Sequence, residues 1–462
     1  MNYKKISITV LLLALGLNFL WAKKDNRPNI VFVMMDDLGA EAIGAYGGES
    51  YETPCMDALA KKRMLFENAY AAPACMISRA TLMSGRYGFR SGLPRNITKV
   101  ACTDGGWGKN EVTVANVLQD VGYTTAISGK WHLAQHDLYP DHLTDKGFEY
   151  QNSWAWVIGK QRTRRYWEAT HFREKSLVVD PPKVYGPDEF CKYITNFMQE
   201  HKDKDKPFFA YYPMVLLHSP WPQTPDNIND PQEGWLPSDN LRTHGKKKWS
   251  NQNLIAMVAY ADKIIGRIVQ SIEDMGIAEN TLLIVTSDNG TYTKASSQYK
   301  GMTIPGGKMK VQESGARVPF FAYWKGKIVP GSVNENLIDF TDVLPTFAEL
   351  AGAPLPTKNP LDGTSFLGQM LPKEYAVKKR DYIFFGNGNN CLIRSKDYFL
   401  NARDEFCSVQ KNRYLPDTIS SKDYTEEHLA QIDMLKTALD KMKHPYGGAE
   451  KSKEKKKKKE VN

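Results

Sequence analysis

Two adjacent carboxylates, Asp36 and Asp37, close the apolar run Asn29–Met35, and a carboxylate–amide pair, Asp288 and Asn289, follows the run 281–286 within Thr-Ser-Asp-Asn-Gly. Successive side chains on a strand point to opposite faces. Neighbours can therefore serve one site only where the strand gives way to a loop. Three carboxylates and one amide form an all-oxygen donor set, suited to a hard cation such as calcium or magnesium and not to zinc. Neither pair marks a site by itself, because Asp-Asn-Gly is a common turn and Asp-Asp a common helix cap. The chain has no Cys-x-x-Cys and no Cys/His cluster with zinc-ligand spacing.

A third block lies between these pairs: Ala72-Pro-Ala-Cys75-Met-Ile-Ser78-Arg79-Ala-Thr-Leu-Met-Ser84-Gly85-Arg86. It resembles the signature of the sulfatases of the alkaline-phosphatase superfamily, Cys-x-Pro-Ser-Arg followed by an apolar stretch and Thr/Ser-Gly-Arg. Four further blocks are similar to that family in the same order. They are Asn29 through Asp36-Asp37, Gly129-Lys130-Trp131-His132-Leu133, Thr286-Ser-Asp288-Asn289-Gly290, and Gly307-Lys308 through Gly315-Ala-Arg317-Val-Pro319. Thr53-Pro54 with Asp57 and Leu59-Ala60 resembles another recurring element of the family. The resemblance runs from residue 28 to 350.

The resemblance implies that Cys75 is oxidised to formylglycine, an aldehyde that hydrates to a geminal diol. Attack on sulfur by a thiol would leave a thiosulfate with no easy exit. A diol oxygen can attack, and the second hydroxyl, once deprotonated, expels sulfate, so one hard hydrolysis becomes two easier steps. By the same resemblance, one calcium ion is held by Asp36, Asp37, Asp288 and Asn289 with the modified residue 75. Arg79 steadies the diol with Lys130 beside it, and His132 deprotonates the second hydroxyl. Lys308 and His218 contact the sulfate and protonate the leaving oxygen. One position departs from the family pattern: Ile77 stands where the signature has Pro or Ala. The formylglycine-generating enzyme reads this segment extended, so a bulky β-branched residue bears on the conversion of Cys75.

The elements that must position these residues can be read from periodicity. Runs at 29–35, 124–128, 208–212, 281–286 and 318–323 are near-continuously apolar, the pattern of strands covered on both faces. Helical spacing joins Leu254, Val258, Ala261, Ile265, Ile268 and Ile272, with Gly276 at the C-terminal stop, and a second helix spans 112–121 before Gly122. A further helix is expected over 342–350. Such alternation predicts an α/β fold with a large, mostly parallel central sheet flanked by helices, alkaline-phosphatase-like by resemblance. Ligands in such sheets gather beyond the carboxyl ends of the strands. Past Pro354, Pro356 and Pro360, short strands at 382–385 and 391–400 and a helix at 426–442 predict a smaller C-terminal α+β subdomain. The expected organisation is a signal peptide over 1–22, a catalytic domain over 23–370, the subdomain over 371–446, and a disordered Lys-rich tail over 447–462.

Among 462 residues, 42% are hydrophobic and 24% charged, which excludes disorder or a coiled coil as the main state. Lys and Arg exceed Asp and Glu by nine, and five of those charges lie in the last twelve residues. The excess belongs to a tail and not to a fold, so a nucleic-acid partner is not indicated. Lys4 and Lys5 precede the apolar run 6–20 and Ala22, the pattern of a cleaved secretory signal, and the run is short for a membrane span. An exported protein, periplasmic or secreted, is expected. Six cysteines remain (Cys55, Cys75, Cys102, Cys191, Cys391 and Cys407), and Cys391 with Cys407 flanks a segment that a disulfide could clip.

The segment 154–172 interleaves Trp154, Trp156, Tyr166 and Trp167 with Lys160, Arg162, Arg164, Arg165 and His171. It reads either as a pocket wall that chooses a sugar, through aromatic stacking and Arg–anion bonds, or as a surface loop with its Trp residues packed inward. Three functional readings are carried forward. The first is a calcium-dependent sulfatase acting on a sulfated saccharide or aryl sulfate. The second is a phosphomonoester or phosphonate hydrolase of the same superfamily. The third is a non-catalytic sulfated-glycan binding protein with Cys75 unoxidised.

Overall fold

The computed structural model describes residues 25–103, 105–228 and 250–442. The expected signal segment and Lys-rich tail lie outside them. At the centre is a ten-stranded sheet. From one edge its strands are Val333–Asp339, Met64–Tyr70, Phe320–Tyr323, Thr281–Ser287, Asn29–Met35, Phe208–Pro213, Thr124–Gly129, Tyr150–Trp154, Thr170–Arg173 and Ser176–Val179. The stretch from Thr281–Ser287 to Tyr150–Trp154 is parallel throughout. Phe320–Tyr323 runs antiparallel to both neighbours, and Thr170–Arg173 and Ser176–Val179 close the far edge antiparallel. The sheet is thus mixed, with a parallel heart. A run buried on both faces looks alike in either direction, so sequence periodicity does not report strand polarity.

Asn29–Met35 and Thr281–Ser287 are buried at every position, and their ladder pairs Met35 with Ser287. That register brings the two strand ends level, and Asp36 and Asp288 follow them directly. Helices flank the sheet in two groups. Cys75–Ser84, Val114–Asp120 and Val343–Ala351 pack together, as do Pro54–Lys62, Gly186–His201 and Asn251–Asp274. The long helix Asn251–Asp274 buries Leu254, Val258, Ala261, Ile265, Ile268 and Ile272. It stops at Gly276, whose φ of +68° suits a left-handed cap.

The C-terminal part is a five-stranded antiparallel sheet, from Ile383–Asn387 through Asn390–Arg394, Tyr398–Asn401 and Phe406–Ser408 to Asp417–Thr418. The helix Glu426–Met442 covers it with Leu435, Ala438 and Met442. All six cysteines named above are free. Cys391 and Cys407 sit on strands separated by Tyr398–Asn401, roughly 10 Å apart at ordinary strand spacing and beyond disulfide reach. No helix of the described residues is long and apolar enough to cross a membrane.

Candidate active site

Each acidic pair sits where a strand ends, and the backbone explains how both members of the first pair face one cleft. Asp37 has a φ of +75°, so the chain reverses direction immediately after the strand. Aspartate tolerates that conformation better than most residues. Asp37 N–H donates to Asp288 Oδ1 at 3.2 Å, tying the two strand ends together. Asn289 Nδ2 donates to Asp37 Oδ1 at 2.9 Å, which fixes the amide with its own oxygen free. Gly290 has no substitute here, because a Cβ would lie 1.8 Å from the Ser314 carbonyl oxygen. Asp36, Asp37, Asp288 and Asn289 are all buried.

Cys75 opens the ten-residue helix Cys75–Ser84, and Ala74 at its N-cap offers no side-chain acceptor. The positive end of the helix therefore lies at the Cys75 side chain. Ser78 pins the loop ahead of it: its hydroxyl donates to the Ala72 carbonyl at 2.9 Å and accepts Ala72 N–H at 3.0 Å. One turn along, Arg79 donates through Nε (3.0 Å) and Nη2 (2.7 Å) to Asp288 Oδ2, and through Nη1 to the Lys130 carbonyl.

Lys130 and His132 leave the strand Thr124–Gly129. Gly129, at φ +120°, lets Lys130 N–H reach the Pro213 carbonyl at 2.7 Å; a Cβ there would meet that same oxygen at 2.0 Å. Lys130 Nζ bonds Asp36 Oδ2 at 2.6 Å. His132 Nδ1 lies 3.4 Å from Cys75 Sγ. Lys308 Nζ lies 2.6 Å and 2.7 Å from the two Asp37 carboxylate oxygens, and His218 Nε2 lies 4.0 Å from Asp37 Oδ2. Eight of the ten residues singled out from the sequence are thus joined through one network, and Cys75 and His132 form a pair beside it.

Charges in the cleft shift one another. Burial raises Asp36, but the cations of Lys130, Arg79 and Lys308 outweigh it and hold the carboxyl below its usual range. For Asp37 and Asp288 burial wins, aided by the Asp36 charge, and both are raised. Burial and then nearby cations push His132 and His218 well below the ordinary imidazole value, so both are neutral near pH 7. Neutral imidazole is the form that can accept a proton.

Two oxygens bear directly on a cation. Asp36 Oδ1 and Asn289 Oδ1 are buried and have no hydrogen-bond partner. An orphaned buried acceptor is costly, and a hard divalent ion between these groups would satisfy both. Donor atoms of Asp36, Asp37 and His218 also lie within 4.8 Å of one another. The residues present fit a calcium-type ion.

Three supporting side chains lie outside the family motif blocks. Asn96, legible only as part of an Asn-Ile-Thr glycosylation sequon, accepts Met76 N–H at 3.3 Å and points Nδ2 toward Cys75 Sγ at 4.0 Å. Trp156 sets its ring edge-on to His132, with centroids 4.6 Å apart. Arg165 lies with Nη1 3.0 Å from His218 Nδ1 and Nη2 3.2 Å from the Ser219 carbonyl, its guanidinium 4.5 Å over Trp154. The aromatic residues of the segment 154–172 pack inward, since Trp154, Trp156, Tyr166 and Trp167 are buried, and two of its residues lie against His132 and His218.

An oxygen-rich cleft thus lies at the carboxyl ends of parallel strands, beside the cysteine that opens a helix, within an alkaline-phosphatase-like α/β fold. The sulfatase family model matches residues 28–353, and the chain belongs to that family of sulfuric ester hydrolases. Arylsulfatase G of Rattus norvegicus is 29% identical over 377 residues, covering 73% of this chain and 67% of that protein. N-acetylgalactosamine-6-sulfatase of Canis lupus familiaris is 29% identical over 385 residues, 79% of this chain and 69% of that one. The structure of BT4656 in complex with its substrate D-glucosamine-2-N,6-O-disulfate shares the fold. Its TM-score is 0.70 at 21% identity, covering 90% of this chain and 98% of that one.

Proposed function

We propose that this chain is an exported, calcium-dependent sulfatase that cleaves sulfate esters of a sulfated saccharide through a formylglycine derived from Cys75. The observation that carries this reading is the pair of orphaned oxygens, Asp36 Oδ1 and Asn289 Oδ1, facing a cleft that a helix-opening cysteine shares. Asp36, Asp37, Asp288 and Asn289, with residue 75, would hold the ion. When bound, calcium supplies Lewis acidity toward sulfate oxygens, and the hydrated aldehyde supplies the attacking oxygen.

The chain's own residues supply the rest. Arg79, Lys130 and Lys308 balance the charges of Asp36, Asp37 and Asp288. A divalent ion therefore leaves the cleft net positive and attractive to a sulfate ester. His132, neutral and 3.4 Å from the side-chain atom of residue 75, is placed to take a proton from it. His218 and Lys308 flank Asp37 from the other side, where they can bind sulfate and protonate a leaving oxygen. Cys75 is buried, so a formylglycine-generating enzyme must act before folding.

A catalytic domain over 23–370 and a C-terminal unit over 371–446 fit this reading. Asn387 of the C-terminal sheet donates to the Met309 carbonyl at 3.0 Å, next to Lys308. The saccharide assignment draws on the named substrates of the relatives and on the aromatic and cationic segment beside His132. The test compares turnover of nitrophenyl sulfate, nitrophenyl phosphate and a panel of defined sulfated saccharides. Sulfate release that is lost on chelation and restored by calcium is expected. Preference for phosphate would replace the reading with a phosphomonoester or phosphonate hydrolase.

A further inference from the structure

The short hairpin Val157–Ile158/Gln161–Arg162 stands beside the site. Arg162 pairs with Val157 in its ladder, and Thr163 N–H donates to the Trp156 carbonyl at 3.1 Å. Trp156 in turn packs against His132. The hairpin turn is tied down as well: Gly159 N–H donates to Asp137 Oδ2 at 2.7 Å, and Gln135 Nε2 donates to the Gly159 carbonyl at 3.1 Å. Arg162 is therefore carried on a fixed element at the rim of the cleft.

It differs from the buried cations of the cleft. Arg79 is spent on Asp288, Lys130 on Asp36 and Lys308 on Asp37, while Arg165 bonds His218 and Ser219. Among the described residues, the Arg162 side chain makes no hydrogen bond or ion pair. The residue is exposed, yet the cleft partly desolvates its guanidinium and the like charge of Arg165 opposes it further; both lower its pKa. Cys75 is close enough to act on it electrostatically. A guanidinium held under desolvation beside a second cation, with no protein acceptor, is arranged for an anion that comes from outside.

We propose that Arg162 is a specificity-determining residue that grips a second anionic group, a carboxylate or another sulfate, on the saccharide whose scissile sulfate faces residue 75. The scissile sulfate has its own cations at the cleft floor, Lys130 and Lys308, both buried, whereas Arg162 stands at the exposed rim beyond Trp156. This inference rests on the function proposed above.

The test reads binding without turnover, by titration calorimetry on calcium-loaded protein made in a host that leaves Cys75 a thiol. The probes are glucosamine 6-O-sulfate, glucosamine 2-N,6-O-disulfate and a 6-sulfated disaccharide bearing a uronate. Wild-type protein is expected to bind at least one doubly anionic probe about fivefold to tenfold more tightly than the monosulfate, the scale of one partly exposed charge-assisted pair. Which probe gains identifies the group as sulfate or carboxylate. Arg162→Gln should abolish that preference and leave monosulfate affinity unchanged. Arg162→Lys should restore part of it, without the bidentate geometry. Equal loss on all probes would assign Arg162 to the scissile sulfate, and a preference that survives Arg162→Gln would assign it elsewhere; either overturns the proposal. Wild-type protein that binds the monosulfate with no preference overturns the proposal alone. Failure to bind any sulfated probe overturns the sulfatase reading, and the rim subsite with it.

Discussion

Arg79 and Asp288, 209 residues apart in the chain, meet through two hydrogen bonds onto a single carboxylate oxygen, Oδ2, at 2.7 Å and 3.0 Å. The other oxygen, Oδ1, accepts the backbone N–H of Asp37. One carboxylate therefore ties the cysteine-bearing helix to both strand ends that supply oxygen ligands. Asp288→Ala should abolish calcium binding by calorimetry together with turnover, and normal turnover in that variant would remove the metal assignment. Because burial and the Asp36 charge raise the Asp288 carboxyl, protons compete with the ion. Calcium affinity should weaken as pH falls through that raised value, by up to tenfold per pH unit for one displaced proton.

Ile77 poses its question before folding, not after it. In the folded chain its side chain is buried with Ala72 and Ala74. Gly88 makes room for it, since a Cβ at 88 would lie 2.6 Å from Ile77 Cγ2. The third helical position needs no intrahelical N–H bond, so proline fits there too. Peptide mass spectrometry of 72–79 from the native host should find the aldehyde at position 75. Ile77→Pro should raise the converted fraction on co-expression with the generating enzyme. A thiol retained in the native host would leave a sulfated-glycan binder in place of a hydrolase.

Strand ends and helix stops were legible in the sequence because burial on two faces and a C-terminal glycine are local signals. Asn29–Met35 and Glu426–Met442 have the limits their patterns imply. The ordered motif blocks likewise made Asp36, Cys75, Lys130, Asp288 and Lys308 legible as one constellation. What stayed hidden depends on contacts between distant segments. The antiparallel course of Phe320–Tyr323, the reach of Asn96 to the Cys75 helix, and the pairing of Arg165 with His218 leave no trace in residue spacing. The left-handed turn at Asp37, which makes two neighbouring carboxylates share a cleft, is equally invisible to periodicity.

Arg394 joins the C-terminal sheet to the catalytic part from inside. It bonds Glu313 and donates to the Tyr70 hydroxyl at 2.6 Å; Tyr70 in turn donates to Glu313 Oε2 at 2.9 Å, and all three are buried. Removing one partner strands a buried charge. Arg394→Met should therefore cost about 3–5 kcal/mol of unfolding free energy by urea denaturation. Arg394→Met with Glu313→Gln should recover much of that, because the second change neutralises the stranded carboxylate. If the single variant unfolds like wild type, the ion pair does not hold the two parts together.

Two buried histidines outside the cleft, His142 and His136, also lower stability as the pH falls. His142 Nδ1 lies 2.8 Å from the Gly105 carbonyl and so donates to it, while Nε2 is buried without a partner. Burial is the main cause that holds His142 at about 4, against an ordinary value of 6.5, with Lys146 adding to it. Burial, then the neighbouring His142, holds His136 at about 3. Both folded values are depressed, so between pH 6.5 and 4 the unfolded chain binds more protons than the folded one. Stability from these groups is complete above pH 6.5 and drains away as pH falls toward the folded values. At pH 5 the His142 difference amounts to about 2 kcal/mol. The melting temperature of wild-type protein should fall steadily from pH 6.5 to 4.5. In His142→Asn the amide takes over the donor role of Nδ1 toward Gly105 but cannot titrate, so the slope over that range should be shallower whatever the variant's stability at pH 7. An unchanged slope would show that His142 is already protonated in the fold.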